Sequence, residues 1–175
     1  MKEITGQEFK DNISKVIIFK YLKPDELDKI IALSQFFTFD KDEKIIAKGD
    51  ESPDLYAVLE GTVNVNVPEV KSGAVFISSI GEGDVFGEAG IFLSVKRTAD
   101  VMSADGCTVL RVNRKDMINF IKARPESGIK ILMLIIYSLL KKLKEANLEL
   151  AFERMGDISQ EDIDGMVGEV LKDGP

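Results

Sequence analysis

The chain has 175 residues, of which 45% are hydrophobic and 30% charged, a composition typical of one globular domain with a buried core. Its net charge of −7 argues against a general nucleic-acid-binding surface, because such a surface needs lysine and arginine to displace phosphate counterions. The absence of histidine excludes histidine-ligated metals, histidine general bases and Ser-His-Asp triads.

A single cysteine, Cys107, cannot form an internal disulfide, and its place in the segment CTVLRV predicts a buried strand thiol. The N-terminus lacks the basic start and apolar core of a signal peptide. The most apolar run, residues 131–140, is far shorter than the ~20 residues that span a bilayer. We therefore expect a cytoplasmic protein.

Residues 1–35 carry helix signals. Thr5 and Glu8 have the spacing of a capping box, and apolar residues recur behind them at helical spacing. Pro24 is a good first helical position for a second helix. The apolar faces of the two predicted helices comprise Phe9, Ile13, Val16 and Ile17 in the first and Leu27, Ile30 and Ile31 in the second.

Between residues 36 and 113 the pattern changes to short segments rich in β-branched and aromatic residues. Turn-forming pairs separate them, including Glu60-Gly61 and Asp105-Gly106. In TVNVNV the valines alternate with asparagines, as in a half-buried antiparallel strand. Seven or eight such strands predict a sandwich, a jelly roll or a β-roll.

Helices are predicted again over residues 114–154, with a long helix after Pro125. Along this helix one apolar seam keeps the a/d heptad spacing. Its members are Ile129, Leu132, Ile136, Leu139, Leu143, Ala146 and Leu150. In the first half the other faces are apolar too, at Ile131, Met133, Leu134 and Ile135. We infer that this half packs on the β-domain and that the seam meets a second copy of the chain.

The alternative is that the seam packs on the chain's own N-terminal helices. Beyond the long helix, residues 155–175 form an acidic tail in which Ser159 can cap a short helix. The tail lacks the ligand spacing of an EF-hand loop, so we interpret its acidic residues as solvated.

The segment DVFGEAGIFLSVKRTAD, residues 84–100, contains the candidate ligand-binding residues. Gly87 and Gly90 allow a close backbone approach, and the N–H groups of residues 88–91 can converge into an anion nest. Arg97 can donate two parallel hydrogen bonds to a phosphate. Glu88 repels phosphate and suits the role of acceptor from a hydroxyl. Together these groups suit a sugar phosphate.

Most of the chain, from about residue 19 to 150, resembles the cyclic-nucleotide-binding domain family of catabolite activators, kinase regulatory subunits and gated channels. The resemblance rests on FKYLKPDELDKIIALSQ, on IIAKGDESPDLYAVLEGTVNV and on GEGDVFGEAGIFLSVKRTADV, which matches the phosphate-binding cassette. It implies an α+β, mainly β fold: an eight-stranded antiparallel β-roll flanked by N-terminal helices and a long C-terminal helix.

The resemblance also implies roles for individual residues. Glu88 matches the acceptor from the ribose 2′-OH, Arg97 the partner of the cyclic phosphate, and Thr98 a position whose hydroxyl reaches the phosphate or a guanine base. The backbone positions around the phosphate are Gly87, Ala89 and Gly90. Positions beneath or over the base are Val65, Ile77, Ile80, Leu143 and its neighbour Lys142.

The expected function is a non-enzymatic sensor of cyclic AMP or cyclic GMP, with no metal, that couples binding to rearrangement of the C-terminal helices. Thr98 leaves the base open, and the brevity of the chain slightly favours cyclic AMP. Since no winged helix-turn-helix follows the long helix, we do not expect this chain alone to bind DNA, and its downstream effector is unknown. The alternatives are a degenerate dimerisation or docking module, or a cupin-like enzyme with Glu88 and Asp100 as an acid/base pair.

Overall fold

The protein, described by a computed structural model, is defined for residues 1–4, 6–69, 73–93 and 95–156, with side chains to residue 150 except that of residue 7. The strands are β1 (Lys2–Ile4), β2 (Ser34–Phe39), β3 (Lys44–Ile46), β4 (Leu55–Glu69), β5 (Gly73–Ile80), β6 (Val85–Phe86) and β7 (Asp100–Val112). The helices are α1 (Lys10–Lys15), α2 (Pro24–Leu33), α3 (Ala89–Phe92), α4 (Arg114–Ala123) and α5 (Pro125–Gly156), with a 3-10 turn at Gly6–Phe9. Met1–Ser138 form one compact unit, and α5 from Leu139 onward belongs to a second.

The helix starts follow from local chemistry. Pro24 opens α2 as predicted, and the Glu26 carboxylate accepts a hydrogen bond of 2.9 Å from the Lys23 N–H, which the helix itself leaves unpaired. The Asn113 side chain caps α4 by accepting from the N–H of Lys115 at 2.9 Å. The capping box predicted at Thr5 and the acidic tail beyond residue 156 lie outside the described residues.

The described strands form one antiparallel sheet in the order β1-β2-β7-β4-β5, with β3 paired to β7 and β6 to β4. This architecture, with flanking helices and a long C-terminal helix, confirms the predicted mainly β class. It has seven strands among the described residues where eight were expected. The sequence pattern did not predict β1, which adds three residues to the edge of β2.

Two predicted turns are wrong. Glu60-Gly61 lies inside β4 and Asp105-Gly106 inside β7, so four expected strands are two long ones. Both glycines have positive φ, +80° at Gly61 and +101° at Gly106, and the β4–β7 register shifts around Gly61. These glycines bend the strands at bulges instead of reversing the chain.

Alternation along the strands divides the core into two clusters. One face, including Leu55, Ala57 and Leu110, packs against the helices together with Ile131 and Ile135 of α5. The opposite face, including Tyr56, Val58 and Val109, fills the inside of the roll. Both faces of the central strands are therefore buried, and the first half of α5 packs on the β-domain as inferred.

Cys107 lies in the inner cluster, which confirms the predicted buried thiol, and burial raises its pKa. None of the described helices combines the length and apolar character needed to cross a membrane.

Candidate functional site

A tight turn at residues 87–90 leads from β6 into α3. Gly87 has a φ of +76°, and the residues after it are helical. The Gly90 N–H donates to the Gly87 carbonyl and the Ile91 N–H to the Glu88 carbonyl, each at 3.1 Å. Ile91 is buried in the helix-side core and anchors the turn from beneath. The turn is thus a fixed element that begins with a left-handed residue.

Glycine is required at position 87 by conformation and by space. A Cβ there would lie 2.7 Å from Nη1 of Arg97 and 2.9 Å from the main-chain oxygen of Asp54. At Gly90 a Cβ would lie 3.3 Å from the same Arg97 nitrogen. The missing side chains therefore make room for the arginine, which lies ten residues further along the chain.

Arg97 lies across this turn and is held by carbonyl groups. Its Nη1 donates to the Gly87 oxygen at 3.1 Å, and its Nη2 donates to the main-chain oxygen of Asp54 at 2.6 Å. Its Nε is buried and has no hydrogen-bond partner among the residues that the structure describes. Burial lowers the pKa of the guanidinium, and none of the ion pairs among the described residues includes it. Such a cation is well suited to an incoming anion.

An aromatic ring and two main-chain hydrogen bonds also hold Arg97. Tyr56 stacks on Phe86 with ring centroids 5.0 Å apart, and the Arg97 Cζ lies 6.0 Å from the Tyr56 centroid. The backbone of Arg97 pairs with the loop before β4, donating to the Asp50 oxygen and accepting from the Gly49 N–H, each at 2.8 Å. The arginine is therefore fixed at both its backbone and its side chain.

The structure brings together Gly87, Glu88, Ala89, Gly90 and Arg97 as the sequence predicted. Glu88 is 6% exposed and Ala89 is exposed. The turn itself uses two of the four N–H groups expected in the anion nest. That part of the prediction does not hold, because these two hydrogen atoms point back to the carbonyls of the preceding turn.

The remaining predicted positions lie in different surroundings. Val65 and Ile80 belong to the inner cluster with Tyr56 and Phe86, so they lie on the same side of the sheet. Ile77 lies at the β4–β5 bulge and is 44% exposed. Thr98 is exposed beside Arg97. Leu143 is exposed in the second unit, and its place over a base stays a prediction.

Asp100 has a structural role. Its carboxylate accepts from the Lys44 Nζ and from the Lys48 N–H, each at 2.7 Å, and these hydrogen bonds lower its pKa. It fastens β3 and the loop after it to β7, so nothing in its surroundings favours the acid/base pair with Glu88. The described residues contain no group of three or more acidic or sulfur ligands that could hold a metal.

Sequence reasoning missed two residues of the site, Asp54 and Tyr56. Asp54 contacts Arg97 through its main-chain oxygen, which any residue type supplies, so no sequence signal marks it. The sequence pattern predicts a strand at Tyr56 without a role for its side chain. The alternation of Leu55, Tyr56 and Ala57 indicates that Tyr56 points to the inside of the roll, where Val63 and Val65 also point.

Comparison with known proteins identifies the family of the chain. The family described as "Cyclic nucleotide-binding domain" matches residues 36–124, which run from within β2 to the end of α4 and include the turn at residues 87–90 and Arg97. The chain belongs to this family.

The similar proteins include a transcriptional regulator and a protein kinase. The chain is 29% identical over 107 residues to the cAMP-activated global transcriptional regulator CRP of Haemophilus influenzae, covering 61% of this chain and 46% of that protein. It is 30% identical over 115 residues to a cGMP-dependent protein kinase of Drosophila melanogaster, covering 64% of this chain and 12% of the kinase. The chain thus spans less than half of either relative.

Among solved structures, a cyclic nucleotide-binding domain from Methylobacillus flagellatus superposes with a TM-score of 0.79. The superposition covers 87% of this chain and 88% of that one at 18% sequence identity. At this identity the likeness shows the fold alone.

Proposed function

We propose that this chain is a non-enzymatic regulatory domain that binds a cyclic nucleotide. The observation that supports this most directly is Arg97, a partly buried cation held by neutral carbonyls, with a buried Nε that has no partner in the described part of the chain. A cyclic phosphate provides a direct ion-pair partner and an acceptor for Nε, both of which this guanidinium lacks among the described residues.

In this proposal each predicted residue keeps its role. Arg97 pairs with the phosphate, Glu88 accepts from the ribose 2′-OH, and Gly87, Ala89 and Gly90 allow the phosphate to approach the backbone. Val65, Ile77 and Ile80 provide the apolar surface beneath the base, Thr98 contacts the phosphate or a guanine base, and Leu143 lies over the base.

Ligand binding is expected to reach α5 through packing. A phosphate competes with the Gly87 and Asp54 carbonyls for the guanidinium, so the turn at residues 87–90 changes its hydrogen bonds. Ile91, directly after the turn, belongs to the same buried cluster as Ile131 and Ile135 of α5. The ligand shifts the helices only insofar as it binds their two arrangements with different affinity.

We also propose that α5 forms a homodimer. Its buried face carries Ile131 and Ile135, both fully buried, whereas Ile129 and Ile136 of the a/d seam are 58% and 55% exposed. The N-terminal helices do not cover this part of the seam, which favours a second copy as its partner. Of the seven seam residues Leu132 is half-buried, and the other six are exposed: Ile129, Ile136, Leu139, Leu143, Ala146 and Leu150.

Isothermal calorimetry with cyclic AMP and cyclic GMP tests the ligand. We expect saturable binding by the wild type and a loss of about ten- to hundredfold in affinity in Arg97→Ala, because a charge-assisted hydrogen-bonded pair contributes about 1.5–3 kcal/mol. Lys96→Ala is the matched control, since Lys96 is an exposed neighbouring cation paired with Glu51. Absence of binding by the folded wild type at millimolar nucleotide would leave the degenerate docking module as the better description.

Sedimentation tests the dimer. Ile136→Glu should shift the protein to monomer at micromolar concentration, whereas Lys130→Glu, on the same helix and also exposed, should leave it dimeric. A monomeric wild type contradicts the dimer and leaves the ligand proposal intact.

A further inference from the structure

Asp54 contacts the arginine site through its backbone. Its main-chain oxygen accepts the 2.6 Å hydrogen bond from Nη2 of Arg97 and is one of the two carbonyls that hold the guanidinium. The residue is 9% exposed and directly precedes β4. Any movement of the guanidinium therefore changes the hydrogen bonding of this peptide group.

The carboxylate of the same residue contacts the start of α4. Oδ1 accepts from the Asn113 Nδ2 at 3.0 Å, and Oδ2 accepts from the Ser52 hydroxyl at 3.1 Å and lies 3.7 Å from the Arg111 Nε. Asn113 is the residue whose side-chain oxygen caps α4. The amide of Asn113 thus bonds Asp54 with its nitrogen and the first turn of α4 with its oxygen.

We propose that Asp54 is a positioning residue that joins the Arg97 site to the N-terminus of helix α4. Its main-chain oxygen sets the guanidinium in place, and its carboxylate orients the amide of Asn113. Two hydrogen bonds of one buried residue thereby connect the anion site with the first helix after the β-roll. This polar connection is separate from the apolar route through Ile91.

The inference rests on the proposed function for its direction of signalling. When a phosphate draws Nη2 away from the Asp54 oxygen, that peptide group loses its donor and the residue reorients. The carboxylate moves with the residue and changes its hydrogen bond with the Asn113 amide. The orientation of that amide, which caps α4, changes as a result. Conversely, when the Asp54 carboxylate loses its hydrogen bond from Asn113, the residue can rotate. Its main-chain oxygen then no longer holds Arg97 in place, and anion binding becomes weaker.

Asn113→Asp removes the hydrogen bond to the Asp54 carboxylate and keeps the side-chain cap of α4. Aspartate caps a helix as well as asparagine does, but its oxygen replaces the Nδ2 donor and faces the Asp54 carboxylate. We expect cyclic AMP affinity to fall about three- to tenfold, as for the loss of one hydrogen bond, with α4 still folded. Asn119→Asp is the control, because it makes the same change on α4 where the helix faces a groove against α2.

The double variant Asp54→Asn/Asn113→Asp exchanges donor and acceptor. The new amide at position 54 donates to the new carboxylate at position 113, which still caps α4, so affinity should return to within about twofold of the wild type. Failure of this exchange to restore affinity in a protein that unfolds at the wild-type temperature overturns the proposal. So does wild-type affinity in Asn113→Asp.

Nuclear magnetic resonance gives a readout that does not need the nucleotide. The Arg97 Nε–H signal should shift in Asn113→Asp, return in the double variant and stay unchanged in Asn119→Asp. If the wild type binds neither nucleotide, the proposed function fails, and this signal alone decides the connection: a shift supports it and no shift overturns it. With binding, the amide of Lys115 should change its exchange rate on addition of cyclic AMP in the wild type and not in Asn113→Asp.

Discussion

Two regions of the molecule bury charge in opposite ways. At the contact between α2 and α5, the Glu26 carboxylate accepts from the Ser127 hydroxyl and from the Lys23 N–H, and Arg124 lies 3.6 Å away. In the β-roll, Arg97 has two carbonyl partners and a buried Nε without one.

The difference separates charges that hold the fold from a charge available to a ligand. A buried ion stabilises a protein only if its charge and its hydrogen-bonding groups find partners inside it, and Glu26 meets this condition. Arg97 has partners for only some of its hydrogen-bonding groups, so the contacts within the described chain do not fully offset the cost of burying its charge. The comparison therefore indicates, without any family pattern, that Arg97 is the charge available to a ligand.

Glu26→Ala should have the largest effect on stability. It leaves the buried Ser127 hydroxyl and the part-buried Lys23 N–H without their acceptor, and a fully buried group that loses its acceptor costs about 1–3 kcal/mol. We expect urea denaturation to show a free energy of unfolding lower by about 2–4 kcal/mol. Asp25→Ala is the control, because Asp25 is an exposed partner of Arg124 and should change little. If Asp25→Ala lowers the free energy of unfolding as much as Glu26→Ala, the burial of Glu26 is not the cause of its effect.

Gly87→Ala should act on binding. Alanine at a φ of +76° is strained, and its Cβ would push against the Arg97 guanidinium and the Asp54 oxygen. We expect cyclic nucleotide affinity to fall about tenfold, as for an energy of about 1.4 kcal/mol. Gly73→Ala has the same kind of backbone at φ +84°, with no described atom within 4 Å of its Cβ. If Gly73→Ala weakens binding as much, backbone strain and not crowding of Arg97 is the cause.

Acid should lower the free energy of unfolding through two buried carboxylates, Glu26 and Asp100. The hydrogen bond from Ser127 lowers the pKa of Glu26, and the hydrogen bond from Lys44 lowers that of Asp100. The unfolded chain therefore takes up protons first, near about pH 4, so these two stability contributions are present above that pH and are lost as the pH falls through the folded pKa values. Asp100→Asn should give a shallower decline of the unfolding free energy between about pH 6 and pH 3 than the wild type.

Arg97→Ala should have the smallest effect on stability. It removes two hydrogen bonds to carbonyls but also a partly buried cation whose pKa burial lowers, and these effects oppose each other. We expect the unfolding free energy to change by less than about 1 kcal/mol in urea denaturation without nucleotide. A loss comparable with that of Glu26→Ala would mean that Arg97 is chiefly a structural residue.

Local signals predict much of the fold. Pro24 and Pro125 correctly predict the starts of two helices. The first N–H groups of a helix have no partner within it, and proline, which has no N–H, is favoured at that position. The strand segments are also correct, but the same pattern wrongly predicts turns at Gly61 and Gly106. A glycine with positive φ has the same sequence signal in a bulge and in a turn, and only the pairing of β4 with β7 distinguishes the two.

The site was predictable where it depends on side chains and not where it depends on main-chain atoms. The glycines and Arg97 stand out because their residue types are needed there. Asp54 holds Arg97 with a carbonyl, and the N–H groups of Gly90 and Ile91 are used inside the turn. Such main-chain hydrogen bonds depend on dihedral angles, which the residue types of this segment do not determine.

The length of β4 and β7 has a consequence for folding kinetics. Their pairing joins Leu55 to Val112 and Asn66 to Asp100, so most of the chain between them must be looped out before the pair forms. The turn at residues 87–90 and Arg97 lie inside that loop, so we expect the anion site to be complete only after this long-range pairing has formed. A nucleotide should therefore slow unfolding and leave the refolding rate unchanged in stopped-flow experiments.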